Sequence, residues 1–297
     1  MLRDVLVTSR PSQWIKNLVV FLPLLFSFNE FWDLSDPSRV IQLVINESIC
    51  LLAFILASSS IYFLNDVFDA EKDRLHPEKK KRPLAKKSIS RRIALASSLA
   101  LLLFAIAVSI SSSTGILPYI VAYLILMTLY GVWFRNLFVI DVLCISVGFI
   151  IRVMAGAIAV DVPISIWIYV CMGCGALFIG LAKRMSEAIS APEGIKIRRK
   201  SMHYYDIKPL GLSMTAVSVI SLMSYCLYTF TASNLPANHS MMLTIPFVAF
   251  CLFRYKFLVM SRGLGERPER VFFDDKILSM CVLLWMISVI GVLYLFR

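Results

Sequence analysis

Residues 41–73 read IQLVINESICLLAFILASSSIYFLNDVFDAEKD. The stretch 41–64 is apolar and long enough to cross a bilayer, whose hydrocarbon core takes about 20 residues of helix. The next nine residues turn acidic. On a helix of about 100° per residue, Asp69 and Asp73 stand about 40° apart, with Asp66 about 20° from Asp73 and about 60° from Asp69. Asn65 falls in line with Asp69. Three carboxylates and an amide therefore share one face where the helix leaves the membrane. Carboxylates at that spacing repel one another, and a divalent cation resolves the repulsion. Oxygen-only ligands suit Mg2+ better than zinc, and Mg2+ takes a few carboxylates together with substrate phosphates. The plainer reading is a solvated juxtamembrane helix with scattered charges; the one-sided arrangement at the end of a span argues against it.

Working outward, the same apolar texture runs from end to end. Hydrophobic residues make up 59% of the 297 and charged residues 16%, against about a quarter charged in soluble domains; the mean hydropathy is +0.77. Nine spans are expected, at 18–32, 41–64, 93–113, 115–134, 138–160, 164–182, 210–231, 241–260 and 277–296, the first interrupted by Pro23. This predicts an all-α polytopic bundle of nine transmembrane helices and a single membrane domain over 1–297. With the amino terminus in the cytoplasm, the segments 1–17, 65–92, 131–141, 182–209 and 254–276 are inside. They hold 27 of the 30 Lys and Arg, which by the positive-inside rule sets that orientation. The expected place is the inner (plasma) membrane, with the active-site loops cytoplasmic. The formal charge of +11 is thus a topology signal and a match to anionic headgroups, not a nucleic-acid surface. Arg3, Arg10 and Lys16 precede the first apolar run without a small-residue cleavage pattern, so no cleavable signal is expected. All seven cysteines lie in apolar runs and read as small buried hydrophobes; Cys171 and Cys174 have a metal-pair spacing but no histidine near them.

The longer connections lie on the inside, where function gathers. Lys79 to Lys87 is a basic run that reads largely as topology and headgroup contact; Arg82, stiffened by Pro83, is the member picked to reach a diphosphate. Tyr130 ends the fourth span, Arg135 sits in the short connection, and Asp141 opens the fifth. Arg152 lies about 16 Å farther along that helix and about 20° off Asp141. Charge inside a span faces a cavity or a partner, and an anion-binding cavity accounts for both residues; a structural ion pair is the alternative. After the sixth span, Lys183 and Glu187 form an ordinary i,i+4 pair, leaving Arg184 to fork onto a phosphate. Near the start, Arg10-Pro-Ser-Gln-Trp-Ile-Lys-Asn17 combines an interfacial tryptophan with cations; a membrane anchor is the simple reading, and Lys16 is the residue chosen there for phosphate.

On these residues the chain resembles the UbiA-type intramembrane prenyltransferase superfamily, and within it the polyprenyl-phosphate phosphoribosyltransferase branch. The resemblance covers nearly the whole chain. It is most specific in Asn65-Asp66-x-x-Asp69-x-x-x-Asp73, and is supported by the Arg10–Asn17 segment, Arg82-Pro83, Tyr130 through Asp141, Arg152 and Lys183-Arg184-x-x-Glu187. It implies that Asp66, Asp69 and Asp73 hold Mg2+ and the pyrophosphate of phosphoribosyl pyrophosphate, while Tyr130 to Asp141 forms the opposite wall. The implied reaction moves 5-phosphoribose onto a polyprenyl phosphate. Position 135 is arginine where lysine is expected in this branch. The superfamily's aromatic-prenylating members carry a second Asp-rich motif after span six, and here that place is basic. A prenyl diphosphate held through Mg2+ needs carboxylates on both sides, whereas a basic second cluster suits a phosphate monoester. The runner-up is a prenyltransferase acting from a prenyl diphosphate on an aromatic or other acceptor; a transporter comes third, without an inverted repeat to support it.

Overall fold

The run that opens the sequence analysis is one helix, α3 (Pro37–Arg74), 38 residues long. Asp36 caps it by accepting from the Arg39 N–H at 3.0 Å, and Pro37 sits in the first turn, where its missing N–H costs nothing. At 1.5 Å per residue it reaches about 57 Å, far more than the roughly 30 Å of a bilayer core. Its last turns, with Asp66, Asp69 and Asp73, therefore project beyond the apolar layer. The computed structural model describes all residues except 76–78, 164, 190–204, 233–234, 266–270, 272–273 and 297. Most of the basic loop expected after the sixth span thus lies outside the described residues.

The other helices are α1 (Leu2–Thr8), α2 (Leu22–Phe26), α4 (Arg91–Ser111), α5 (Leu117–Val132), α6 (Ile140–Val160), α7 (Ile166–Ile189), α8 (Ile207–Thr231), α9 (Ile245–Arg262) and α10 (Lys276–Leu295). Seven of them, α3, α4 and α6 to α10, are long and apolar enough to cross a membrane. This is an all-helical, multi-pass membrane protein. Nine spans were expected, and among the described residues the two beyond these seven are shorter. The apolar helix α5 has only 16 residues, and the first expected span, 18–32, is not one α-helix. There a 3₁₀ helix, Pro11–Phe21, passes into α2 at Leu22. Pro23 lies in the first turn of α2, so it marks a join between helix types and not a kink within one. The stretched 3₁₀ geometry, about 2 Å per residue, gives the whole Pro11–Phe26 segment a reach of roughly 30 Å.

Helix α6 lies at the centre, packed on the 3₁₀ segment and on α2, α3, α5 and α7. Gly156 explains how closely: a Cβ there would stand 2.1 Å from the Val20 carbonyl oxygen, so only glycine lets the two backbones meet. Helices α3 and α4 are joined by Ser60 and Ser98, each hydroxyl donating to the other's backbone carbonyl at 2.7 and 2.9 Å, the polar pairing that substitutes for hydrophobic drive in lipid. Apolar side chains fill one cluster around Val20, Phe54, Ile120 and Tyr123. Another fills the space between α7, α8, α9 and α10 around Phe178, Met214, Tyr255 and Leu278.

Candidate active site

The projecting end of α3 is met from three directions. The loop that follows it folds back, burying Leu84 and Ile89 against Phe63, Val67 and Ala94, and Arg74 Nε donates to the Ala85 carbonyl at 3.2 Å. This anchors Arg82 above the acidic face, where Nη1 lies 2.6 Å from Asp73 Oδ2 and 3.3 Å from Asp66 Oδ1. From the amino terminus comes Arg10, whose φ of 54° is left-handed. Its guanidinium pairs with Asp66 and sits 4.9 Å over the Tyr62 ring. From the α5–α6 connection comes Arg135, forked onto Asp69 at 2.6 and 2.7 Å. Gly131 makes this approach possible, because a Cβ there would fall 2.3 Å from Asn65 Oδ1. Every aspartate of the face thus carries an arginine. Arg10 was missed as a site residue by the sequence reading, although its motif had been singled out; the chain is 56 residues longer between Arg10 and Asp66, and no local pattern joins them.

This donor set fits Mg2+. Among the described residues no three His, Cys, Asp or Glu side chains cluster as a ready metal cage. Mg2+ does not need one, since it is held by one or two carboxylates plus phosphates. Asp66 and Asp73, both buried, already meet at a single arginine nitrogen. Asp69 stands apart from them on Arg135, so the arrangement is a pair of carboxylates with a third alongside, not the three-ligand set expected.

A second, largely buried cluster of charged residues forms around Arg184. Helix α7 continues seven residues past its expected end at 182, to Ile189, so Lys183, Arg184 and Glu187 are helical. Arg184 Nε stands 2.9 Å from Asp141 Oδ2 with both side chains fully buried. Its Nη1 pairs with Glu187 at i+3. Arg184 Nη2 is buried with no hydrogen-bond partner among the described residues. Tyr130 lies near enough to act on Arg184 electrostatically. A residue that no sequence signal indicated completes the wall: Tyr205, ahead of α8, donates to Asp141 Oδ1 at 2.7 Å. Burial, reinforced by that carboxylate, pushes the Tyr205 phenol well above its ordinary value.

Two expected phosphate ligands meet other groups in the structure. Lys16 Nζ is directed to Gln13 Oε1. Among the described residues Arg152 meets no carboxylate, and its nitrogens are engaged by other groups. Its Nε donates to Asn17 Oδ1 at 2.8 Å, Nη1 to the Gly148 carbonyl at 2.9 Å and Nη2 to the Tyr123 hydroxyl at 2.8 Å. The guanidinium also faces the rings of Tyr123, Phe149 and Phe54. It is a buried tie between α6 and the 3₁₀ segment, with polar and aromatic groups replacing a counter-ion. Deeper in the bundle is an apolar cavity of about 250 Å³ lined by Val19, Phe149, Met172, Phe178, Leu252 and Tyr255.

Comparison with known proteins bears on this geometry. The UbiA prenyltransferase family profile matches residues 44–274. A protein of Mycolicibacterium smegmatis named decaprenyl-phosphate phosphoribosyltransferase is 28% identical over 96% of this chain and 91% of its own length. One of the same name from Corynebacterium glutamicum is 29% identical over 96% of this chain and 85% of its own. The solved structure of a UbiA homologue from Archaeoglobus fulgidus bound to DMAPP and Mg2+ superposes with a TM-score of 0.72 at 17% identity, covering 98% of this chain and 99% of that one.

Proposed function

Because the chain belongs to the UbiA prenyltransferase family, we propose that it is a Mg2+-dependent transferase that moves 5-phosphoribose from phosphoribosyl pyrophosphate to a polyprenyl phosphate. The observation that carries this reading is the chemical asymmetry of the two walls. One presents Asp66, Asp69 and Asp73 with arginines; the other presents Arg184, which engages Asp141 and Glu187 and keeps a buried Nη2 without a partner among the described residues, where a second acidic motif free to hold metal would be needed to grip a prenyl diphosphate. The relatives named decaprenyl-phosphate phosphoribosyltransferase support the same choice.

In the proposed reaction the bond between the ribosyl C1 and the pyrophosphate oxygen breaks, its electron pair leaving with pyrophosphate. An oxygen of the acceptor phosphate forms the new bond to C1 through an oxocarbenium-like state. Bound Mg2+, held by Asp66 and Asp73 with Asp69 alongside, would supply charge neutralisation for the leaving group. Arg10, Arg82 and Arg135 are already poised at these carboxylates and can pass to phosphate oxygens, to which guanidinium forks well. Arg184, with Lys183 beside it and Tyr130 near it, would receive the acceptor phosphate. That phosphate is an anion already, so no strong general base is required. Asp141 holds Arg184 in place. The apolar cavity near Phe149 and Tyr255 would take part of the polyprenyl tail. By the positive-inside rule the site end faces the cytoplasm, the whole chain acting as one catalytic domain in the plasma membrane.

The test uses purified protein, phosphoribosyl pyrophosphate labelled in the ribose, a polyprenyl phosphate and Mg2+, with an EDTA control. Label is expected in the organic phase and absent with EDTA. The second reading, prenyl transfer from a prenyl diphosphate to an aromatic or other acceptor, is favoured by the DMAPP- and Mg2+-bound neighbour. It takes over if no polyprenyl phosphate is labelled by folded protein while a prenyl diphosphate is consumed.

A further inference from the structure

The connection between α5 and α6 ends on a strained residue. Val139 has φ 66° and ψ −44°, and the Ile140 N–H donates to the Phe138 carbonyl at 2.8 Å. This is a γ-turn of the rare positive-φ kind. A β-branched side chain is an outlier there, and such a conformation persists only where its surroundings impose it. Tyr205, 66 residues away, meets it. The phenol oxygen accepts from the Val139 N–H at 3.1 Å while donating to Asp141 Oδ1 at 2.7 Å, so its donor and one acceptor site are both used. Its ring centroid stands 4.7 Å from that of Phe138. Asp141 is fixed in turn by Arg184 on its other oxygen. Four residues before Val139 lies Arg135, which holds Asp69.

We propose that Tyr205 is a positioning residue: its hydroxyl locks the strained turn at Val139 and so sets the connection that presents Arg135 to Asp69, tying the acidic wall to the Asp141–Arg184 pair. The raised phenol keeps its proton through neutral pH, as this double role requires. The inference rests on the proposed transferase reading only for which diphosphate occupies the acidic wall.

The test compares Tyr205→Phe, Val139→Gly and the double variant. Phenylalanine keeps the ring against Phe138 and removes one oxygen, leaving the Val139 N–H and Asp141 Oδ1 each short of a partner. The KM for phosphoribosyl pyrophosphate is expected to rise by roughly tenfold or more, with the KM for polyprenyl phosphate little changed. Glycine takes positive φ without a Cβ penalty, so Val139→Gly should recover most of the loss in the Tyr205→Phe background. Independent effects would merely add. An unchanged donor KM in Tyr205→Phe overturns the proposal, as does a double variant no better than Tyr205→Phe alone. If Tyr205→Phe does not fold, folding of the double variant supports the lock and its failure overturns it. The affinity of each variant for Mg2+-pyrophosphate, read by calorimetry, separates the two ideas. The same pattern in a protein that transfers no phosphoribose upholds the lock and removes the transferase reading; normal wild-type turnover without the pattern removes the lock alone.

Discussion

Replacing Gly156 by alanine tests the packing that brings the amino-terminal segment to the site. The added Cβ would lie 2.1 Å from the Val20 carbonyl oxygen, 2.9 Å from its carbon and 3.1 Å from its Cα. A carbon and a carbonyl oxygen settle no closer than about 3.3 Å, so the 3₁₀ segment and α6 must part by roughly 1.2 Å. The atoms met are backbone, and no rotamer relieves them. Neighbouring ties resist the movement, since Asn17 in that segment accepts from Arg152 of α6 and donates to Ser58 of α3. Overpacking costs about 1–3 kcal/mol, and an immovable contact belongs near about 3. Alanine's better helix propensity returns about 1 kcal/mol, leaving a net loss of about 2 kcal/mol. Because Arg10 leads into the same segment, a shift on the order of 1 Å is also expected to lower turnover severely. The assay is the thermal midpoint of detergent-purified protein, followed by tryptophan fluorescence and by monodispersity after heating. Gly175→Ala and Gly291→Ala serve as controls, because a Cβ at either meets nothing within 4 Å; both should hold or raise the midpoint. If Gly156→Ala melts with these controls and retains activity, the close approach of α6 to Val20 is wrong.

Asp69→Ala should abolish transfer while leaving the thermal midpoint close to wild type, since Asp69 lies at the projecting end of α3; near-normal activity in saturating Mg2+ would remove it from the metal assignment. Arg184→Met should lower stability by about 3–5 kcal/mol, because the fully buried Asp141 loses its counter-charge; a midpoint within a degree of wild type would contradict the buried pair. Glu47, fully buried in α3 with neither carboxylate oxygen hydrogen-bonded among the described residues, should be replaceable by leucine with a gain in stability, as burying an unpaired polar group is costly; a fall in the midpoint would mean that the carboxyl is satisfied. Arg152→Ala should reduce the midpoint through the loss of its ties to Asn17 and Tyr123, while the KM values of the surviving enzyme stay near wild type. A large selective rise in one KM would restore Arg152 to the site.

The sequence by itself determined that this chain is an all-helical protein that crosses a membrane several times. Transfer into a bilayer depends on the composition of a contiguous run, so hydropathy reads it directly. The acidic face of 65–73 was equally legible, because a helix converts spacing into direction without help from the rest of the chain. The interruption of the first span at Pro23 was legible, but the change to 3₁₀ geometry has no compositional mark. Tertiary structure alone decided the partners. Arg10 reaches Asp66 across 56 residues, Arg135 reaches Asp69 across 66, and Tyr205 reaches Asp141 across 64. Arg152 shows the limit most clearly. The rule that intramembrane charge seeks a cavity or partner held, yet the partners were an asparagine, a tyrosine and three aromatic faces, none distinguishable in sequence from ordinary core. Local periodicity fixes which way a side chain points; what it meets depends on how distant helices pack, and glycines such as Gly131 and Gly156 set how near they come.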